Sequence, residues 1–336
     1  MDQQHNFIRH YLDFDSQYQK LMIERLISIA QKLAKSQLIK AYLPNENSKL
    51  DKAQTFECVT RAISTLVDSG SPEAGLLLGK SFTIEDFGLF NIAISNCSNL
   101  DEALKLICRY CSQVEFGLSL IYQISAKQSY LQINTHISDI SKPWYVEDAL
   151  FGCLNVLRGL AEDKFILQQI DITTSTPSAA SYFEDLACKV NFQQPHTRIY
   201  FAPFNDQPSS NNQQLNEVAI RWMLSSNDNQ DELLDRIYKI MFEHIGSGRL
   251  SQDWLAKQLQ TSTATLKRKL ARLNTSFSKI QSEIRMLLSY DYLLNTDLSV
   301  LEIGQILDYT DSGNFCRAFK KWFGCSPHQF RKMNRV

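Results

Sequence analysis

Residues 298–331 read LSVLEIGQILDYTDSGNFCRAFKKWFGCSPHQFR, and this stretch decides the fold of the C-terminal part of the chain. It contains a short helix of apolar period, a turn of about four residues, and a second helix that carries Arg317 between the apolar positions Phe315 and Phe319. The stretch has a partner upstream. Residues 255–270, LAKQLQTSTATLKRKL, repeat the pattern at an offset of 49, so that Leu266 matches Phe315, Arg268 matches Arg317, Leu270 matches Phe319 and Leu273 matches Trp322. Each copy has the form of a helix-turn-helix, in which the first helix braces the second and the outer face of the second enters a major groove.

The punctuation of the two copies agrees. Ser251 and then Ser262 or Thr261 stand where helix N-caps are needed in the first copy, as do Ser299 and Asp311 in the second. Asn274 and Gly324 follow the two second helices, and both residue types accept the left-handed backbone of a helix end. Phe277–Leu294 joins the copies with helical periodicity. At 1.5 Å per residue it would be roughly 27 Å long, comparable with the ~34 Å repeat of B-DNA. The spacing suits two helices in successive groove segments of a duplex.

The charge distribution points the same way. The 336 residues carry a net charge of −1, but residues 249–336 hold 14 Lys and Arg against 7 Asp and Glu, a net of +7. Residues 1–248 hold 21 basic and 29 acidic residues, a net of −8. A basic tail on an acidic body suggests that the tail meets a polyanion, since clustered cations gain by displacing condensed counterions.

Ahead of the repeat the chain reads as α+β. Helices are expected at Gln17–Leu38, Gln54–Val67, Asp86–Ser95, Leu100–Gln113, Trp144–Leu160 and Ala179–Cys188, with a further amphipathic one at Leu215–Leu224. Alternating apolar residues predict strands at Phe116–Ser125, Ser129–Ile137, Phe165–Thr174 and Thr197–Ala202, forming a small antiparallel sheet. Two runs rich in Ser, Asn, Gln and Asp, 205–214 and 225–230, cannot bury enough apolar surface to order themselves. The expected division is 1–225, a linker at 226–230, and an all-α region at 231–336.

Residues 298–331 resemble the second half of the DNA-binding domain of AraC/XylS-type transcription regulators, and the resemblance covers about 231–335. Its most specific part is Phe315-x-Arg317-x-Phe319-Lys320-x-x-x-Gly324-x-Ser326-Pro327-x-x-Phe330-Arg331. The resemblance implies seven helices, two helix-turn-helix units joined by a long helix, and a protein that activates or represses promoters. Asp308 departs from the family, which usually has glycine there, though Asp partly tolerates a left-handed turn. Ala264 is small where bulkier contacts are common, and Ser289 keeps a small residue four after Arg285. Residues 20–205 resemble the arabinose-binding-like sensor domain of a subset of these regulators. Phe87–Tyr110, Tyr182–Phe192 and Ile199–Phe201 carry that likeness, with Asn91 in place of the usual glycine. It implies a small-molecule effector and self-association, without establishing arabinose.

By analogy and by helix facing, Ala264, Thr265, Lys267 and Arg268 present to the first groove segment, and Ser312, Gly313, Asn314 and Arg317 to the second. Arg268 and Arg317 are the best base readers, because a guanidinium can bond both O6 and N7 of guanine. Lys269, Arg272, Lys320, Lys321 and Arg331 suit phosphates, which position without specifying. For isolated basic residues a solvated face or an internal salt bridge is the ordinary outcome. Phe315, Phe319, Trp322 and Phe323 are expected in the core. The implied partners are double-stranded promoter DNA, RNA polymerase if the protein activates, an effector, and a second copy.

Other chemistry is weakly signalled. Eight cysteines (58, 97, 108, 111, 153, 188, 316 and 325) lie mostly in apolar-periodic segments. The pair Cys108 and Cys111 has redox or zinc spacing, but no second pair or nearby His completes a metal set, so packing is the expected role. Trp144, Tyr145, Arg109 and Arg158 could line a site for an anionic or aromatic ligand, and residues of these kinds are more often at a core edge. His136 and His196 read as ordinary polar positions. No phosphate loop, H-E-x-x-H or G-x-S-x-G is present. No enzyme activity and no cofactor are expected. Two alternatives stand beside the regulator: a DNA-repair methyl acceptor, which needs an exposed nucleophilic cysteine in a basic setting, and a regulator whose first region serves only dimerisation or a protein partner. No apolar run approaches the roughly 18 to 20 residues of a membrane helix, and MDQQHNFIRH lacks the core of a signal peptide, so a cytoplasmic location is expected.

Overall fold

A computed structural model describes residues 14–44, 48–114, 117–124, 128–135, 143–161, 164–175, 180–184, 186–204, 212–225 and 233–334. The chain divides into two compact units that meet at 211/212.

The first unit contains helices α1 (Phe14–Lys32), α2 (Ser36–Ile39), α3 (Lys52–Asp68), α4 (Ala74–Lys80), α5 (Phe90–Ser95) and α6 (Leu100–Val114). Strands β1 (Leu118–Gln123) and β2 (Ser129–Thr135) follow, then α7 (Pro143–Ala161), β3 (Leu167–Asp171), α8 (Ala180–Glu184), β4 (Lys189–Asn191) and β5 (Thr197–Phe201). The sheet order is β1-β2-β5-β3-β4. Its first three pairings are antiparallel, as expected, and β4 adds to β3 in parallel. That direction follows from the connection, because α8 carries the chain from one strand to the next as a crossover instead of a hairpin. The turn expected at 126–128 lies largely outside the described residues, as does His136.

Helix α7 is the axis of this unit. Apolar residues surround it, with Leu150, Phe151 and Leu154 almost wholly buried, and it packs on α4, β2 and β5. Its contact with α4 is backbone against backbone. A Cβ on Gly75 would stand 2.6 Å from the Trp144 carbonyl oxygen, and one on Gly79 would stand 2.1 Å from that of Asp148. Only glycine permits such an approach. From sequence no element is expected at 74–80, where two glycines in AGLLLGK weaken the helix signal and tertiary packing overrides the propensity. The helix expected at Asp86–Ser95 is broken into a 3-10 turn, Ile84–Phe87, and α5, with Gly88 at φ 56° between them.

The second unit is all helical in its described residues: α9 (Gln213–Ser225), α10 (Leu233–His244), α11 (Gln252–Gln258), α12 (Thr263–Arg272), α13 (Phe277–Asn295), α14 (Val300–Ile306), α15 (Ser312–Phe323) and α16 (Pro327–Asn334). From 233 onward these are the seven helices that the resemblance implies. Helix α9, expected to close the first region, packs on α10 and α13. Arg221 lies 3.7 Å from Asp235 and stands 5.1 Å over the Tyr238 ring, whose hydroxyl donates to the Glu283 carboxylate on α13. Burial, with Glu283 beside it, raises the Tyr238 pKa, so the phenol remains a donor. The break therefore follows the earlier polar run, and the linker expected at 226–230 lies outside the described residues.

Candidate functional site

The two helix-turn-helix copies are built by the local chemistry their sequences announce. Ser251 caps α11 by accepting from Trp254 N at 3.2 Å, and Ser262, of the two candidates, caps α12 by accepting from Thr265 N at 3.1 Å. Ser299 and Glu302 form a reciprocal capping box on α14, and Asp311 accepts from Asn314 N at 2.7 Å. The Ser299 hydroxyl and N–H hold the Glu302 carboxyl below the ordinary carboxylate range. Both brace helices end alike: Gln260 (φ 50°) and Asp308 (φ 57°) take the left-handed position, and Thr261 N and Tyr309 N reach back to Ala256 O and Gly304 O at 2.9 Å. Asn274 (φ 54°) and Gly324 (φ 74°) end the second helices as expected.

Asp308 does more than tolerate its turn. Its carboxylate accepts from Gly246 N at 2.8 Å and Gly248 N at 3.2 Å, while its carbonyl accepts from Arg285 Nη2 at 2.9 Å. The Arg285 guanidinium lies 4.5 Å over the Tyr309 ring. The second turn is thereby fastened to both the loop after α10 and the linking helix α13. Asp308→Ala removes two hydrogen bonds to a carboxylate and places a Cβ-bearing residue without a local acceptor in left-handed geometry. The expected destabilisation is about 3 kcal/mol, measured by chemical denaturation, with Asp308→Asn well below it.

In α12, Leu266 and Leu270 are buried, whereas Ala264, Lys267, Arg268, Lys269 and Arg272 are exposed and Thr265 is half-buried. In α15, Phe315 packs on Tyr309 and Phe319, and Phe319 on Phe323 and Phe330, whereas Ser312, Asn314, Arg317, Lys320 and Lys321 are exposed and Gly313 is half-buried. Trp322 and Phe323 sit at the edge of this core. Among the described residues, no carboxylate pairs with Lys267, Arg268, Lys269, Arg272, Arg317, Lys320 or Lys321. Arg317 Nη2 donates to Asn314 Oδ1 at 2.6 Å. Arg331 is different. Its Nε donates to Leu293 O at 3.2 Å and its Nη2 to Leu298 O at 2.6 Å, so it closes the end of α13 instead of facing outward.

The first unit contains a mostly apolar cavity, partly open to solvent, with about 70 Å³ for the centres of water-sized groups. Leu104, Ile107, Leu118, Leu120, Leu131 and Val156 line it, and Arg25 and Asp148 are the charged residues in its wall. Arg25 is ion-paired with Asp86, both largely buried, and lies 5.2 Å over Phe82. Of the four ligand candidates from sequence, Tyr145 lines this cavity, Trp144 packs into the neighbouring core, and Arg109 and Arg158 are exposed. Arg25 was detectable: it shares a helix face with Met22, Leu26 and Ile29, a cation on an apolar stripe. Cys111 and Cys153 also line the cavity. Burial pushes the Cys108 thiol up to about 12, which leaves almost no thiolate for methyl-acceptor or redox chemistry at neutral pH.

Comparison with known proteins settles what this arrangement belongs to. The family model described as "Helix-turn-helix domain" matches residues 255–333, and that described as "Arabinose-binding domain of AraC transcription regulator, N-term" matches residues 27–203, more than half of the chain. The chain belongs to the AraC family of transcription regulators. Among its AraC-family relatives, the ornithine utilization regulator of Pseudomonas aeruginosa is 24% identical, over 78% of this chain and 79% of that protein. An uncharacterized HTH-type transcriptional regulator of Mycobacterium tuberculosis is 22% identical over 92% of each. The crystal structure of the transcriptional regulator CdpR from Pseudomonas aeruginosa aligns with a TM-score of 0.46 and 17% identity, covering 94% of this chain and 98% of that one. This AraC-family chain is a DNA-binding transcription regulator. Among its described residues no helix is long and apolar enough to cross a membrane.

Proposed function

We propose that this AraC-family regulator reads promoter DNA with both α12 and α15, one in each of two successive major-groove segments, and that a small molecule held by residues 15–211 adjusts that binding. The observation that carries the reading is the set of unneutralised cations on the outer faces of the two capped helices, joined by α13. At 1.5 Å per residue, the 19 residues of α13 span roughly 28 Å, close to one duplex turn.

In this reading Arg268 and Arg317 bond guanine, with Ala264, Thr265 and Lys267 beside the first and Ser312, Gly313 and Asn314 beside the second. Lys269, Arg272, Lys320 and Lys321 take phosphates. Arg331, engaged with two backbone carbonyls, braces the unit. The family description of residues 27–203 as a ligand-binding domain supports the effector part of the proposal.

Guanine-methylation interference on a bound promoter tests the two-segment reading. Two segments about one helical turn apart are expected, with Arg268→Ala abolishing the interference at one and Arg317→Ala at the other. A single segment, or the same segment lost in both variants, would refute it.

A further inference from the structure

We propose that the mostly apolar cavity beside Arg25 in the first unit binds a compact, uncharged, largely apolar molecule bearing one polar group in preference to a sugar, and that such a molecule is the effector. The proposal rests on the effector reading above and names the ligand class.

Polarity argues against a sugar. A pentose would bring several hydroxyls into a wall made of Leu104, Ile107, Leu118, Leu120, Leu131 and Val156. Arg25, Tyr145 and Asp148 are the residues with strongly polar groups among the described lining, with the weakly bonding cysteines Cys111 and Cys153. Most sugar hydroxyls would lose water without gaining a partner, which is the costly way to bury them.

Charge narrows the class further. Arg25 is the cation in the wall, and Asp86 already pairs with it. Asp148, the other charged residue of the described lining, is acidic. Among the described lining residues a ligand anion therefore meets no unneutralised positive charge, and desolvating it would be unfavourable. A single hydroxyl or carbonyl is enough to use the polar end beside Arg25, while the apolar body fills the rest.

Size completes the description. About 70 Å³ for water-sized centres is several times the space one water needs, so the cavity is on the scale of a ring or short branched chain. The lining comes from α1, α4, the 3-10 turn, α6, α7, β1 and β2, so occupancy bears on the packing of most of the unit.

The test uses the full-length protein with five probes: p-cresol and cyclohexanol (uncharged), benzoate (anion), benzylamine (cation) and L-arabinose. A ligand that binds only the folded state raises Tm as its concentration passes Kd. The two uncharged probes should raise Tm saturably and the other three should not. Gly152→Val directs new methyls into the cavity from a position where a Cβ meets nothing nearer than 3.7 Å, and Leu120→Phe fills it from the sheet side. Each variant should weaken both probes about tenfold or more, a loss of about 1.4 kcal/mol. The second keeps the test valid if the first does not fold.

Silence of both uncharged probes, binding of benzoate, benzylamine or arabinose in their place, or shifts that survive both filled variants would overturn the ligand class. The effector reading fails separately. If cresol binding is lost in both variants while promoter affinity is the same with and without cresol, the cavity assignment stands and its role as effector site does not. If a cellular metabolite changes promoter affinity equally in wild type and both variants, the effector reading stands and the cavity assignment falls.

Discussion

Arg317→Ala is expected to lower affinity for the specific promoter by about 1–3 kcal/mol, roughly five- to 150-fold, and to change affinity for unrelated duplex far less. The expectation follows from how the side chain is held. Phe315 and Phe319 bury the inner face of α15, which leaves Arg317 on the outer one. Asn314 Oδ1 accepts from its Nη2 at 2.6 Å. A Cβ on Gly313 would lie 3.6 Å from Nη1 and 3.0 Å from the capping carboxylate of Asp311, so glycine leaves room for this arrangement. A fork fixed in this way loses little freedom on meeting guanine. Arg317→Lys keeps the charge and loses the fork, so it should retain non-specific binding while losing most of the discrimination. Binding to promoter and random duplex, titrated at one salt concentration, checks both variants. Equal losses on the two duplexes would make Arg317 a phosphate contact.

Gly79→Val should have the largest effect on stability. The added Cβ would stand 2.1 Å from the Asp148 carbonyl oxygen and 2.8 Å from its carbon, so α4 must move away from the backbone of α7. The obstacle is main chain, which cannot rotate aside as a side chain can. A loss of at least about 3 kcal/mol is expected, or roughly 6–12 °C in the melting temperature of a unit this size. Gly159→Ala is the matched control on α7, since a Cβ there meets nothing within 4 Å and alanine favours the helix. Calorimetry should show the first unit destabilised by Gly79→Val and unchanged or stabilised by Gly159→Ala. If the two behave alike, the α4–α7 approach does not limit stability.

The DNA-reading half was nearly all legible because its signals are local. Ser251, Ser262, Ser299 and Asp311 cap the helices they precede, and Asn274 and Gly324 take left-handed geometry just past α12 and α15. Capping and left-handed turns involve residues within a few positions of each other, so a linear pattern records them. What the pattern missed in this half is long-range. Asp308 looked like a tolerated substitute for glycine, but its carboxylate ties Gly246 and Gly248 some sixty residues earlier. Arg331, expected at a phosphate, also donates to Leu293 O in α13 and to Leu298 O just beyond it, partners some 33 to 38 residues earlier.

In the first unit the balance reverses. Periodicity located α1, α3, α6, α7 and four strands, yet α4 escaped because its two glycines weaken the local signal and answer instead to the main chain of α7. The parallel strand β4 escaped because three residues carry too little alternation to be distinguished from a loop. Composition marked two polar runs alike, and what ties α9 to the helices after it is long-range, the packing of Arg221 on Asp235 and Tyr238.

The sequence by itself determined that this protein is a basic, duplicated helix-turn-helix reader attached to an acidic α+β unit, because charge, period and caps are properties of neighbouring residues. Only the tertiary structure decided what the acidic unit can hold. Its cavity is assembled from helices, strands and a 3-10 turn that are separate in the chain, and Arg25 in its wall is neutralised by Asp86, about sixty residues away. Burial and charge compensation are set by which segments meet, and that information exists only once the chain has folded.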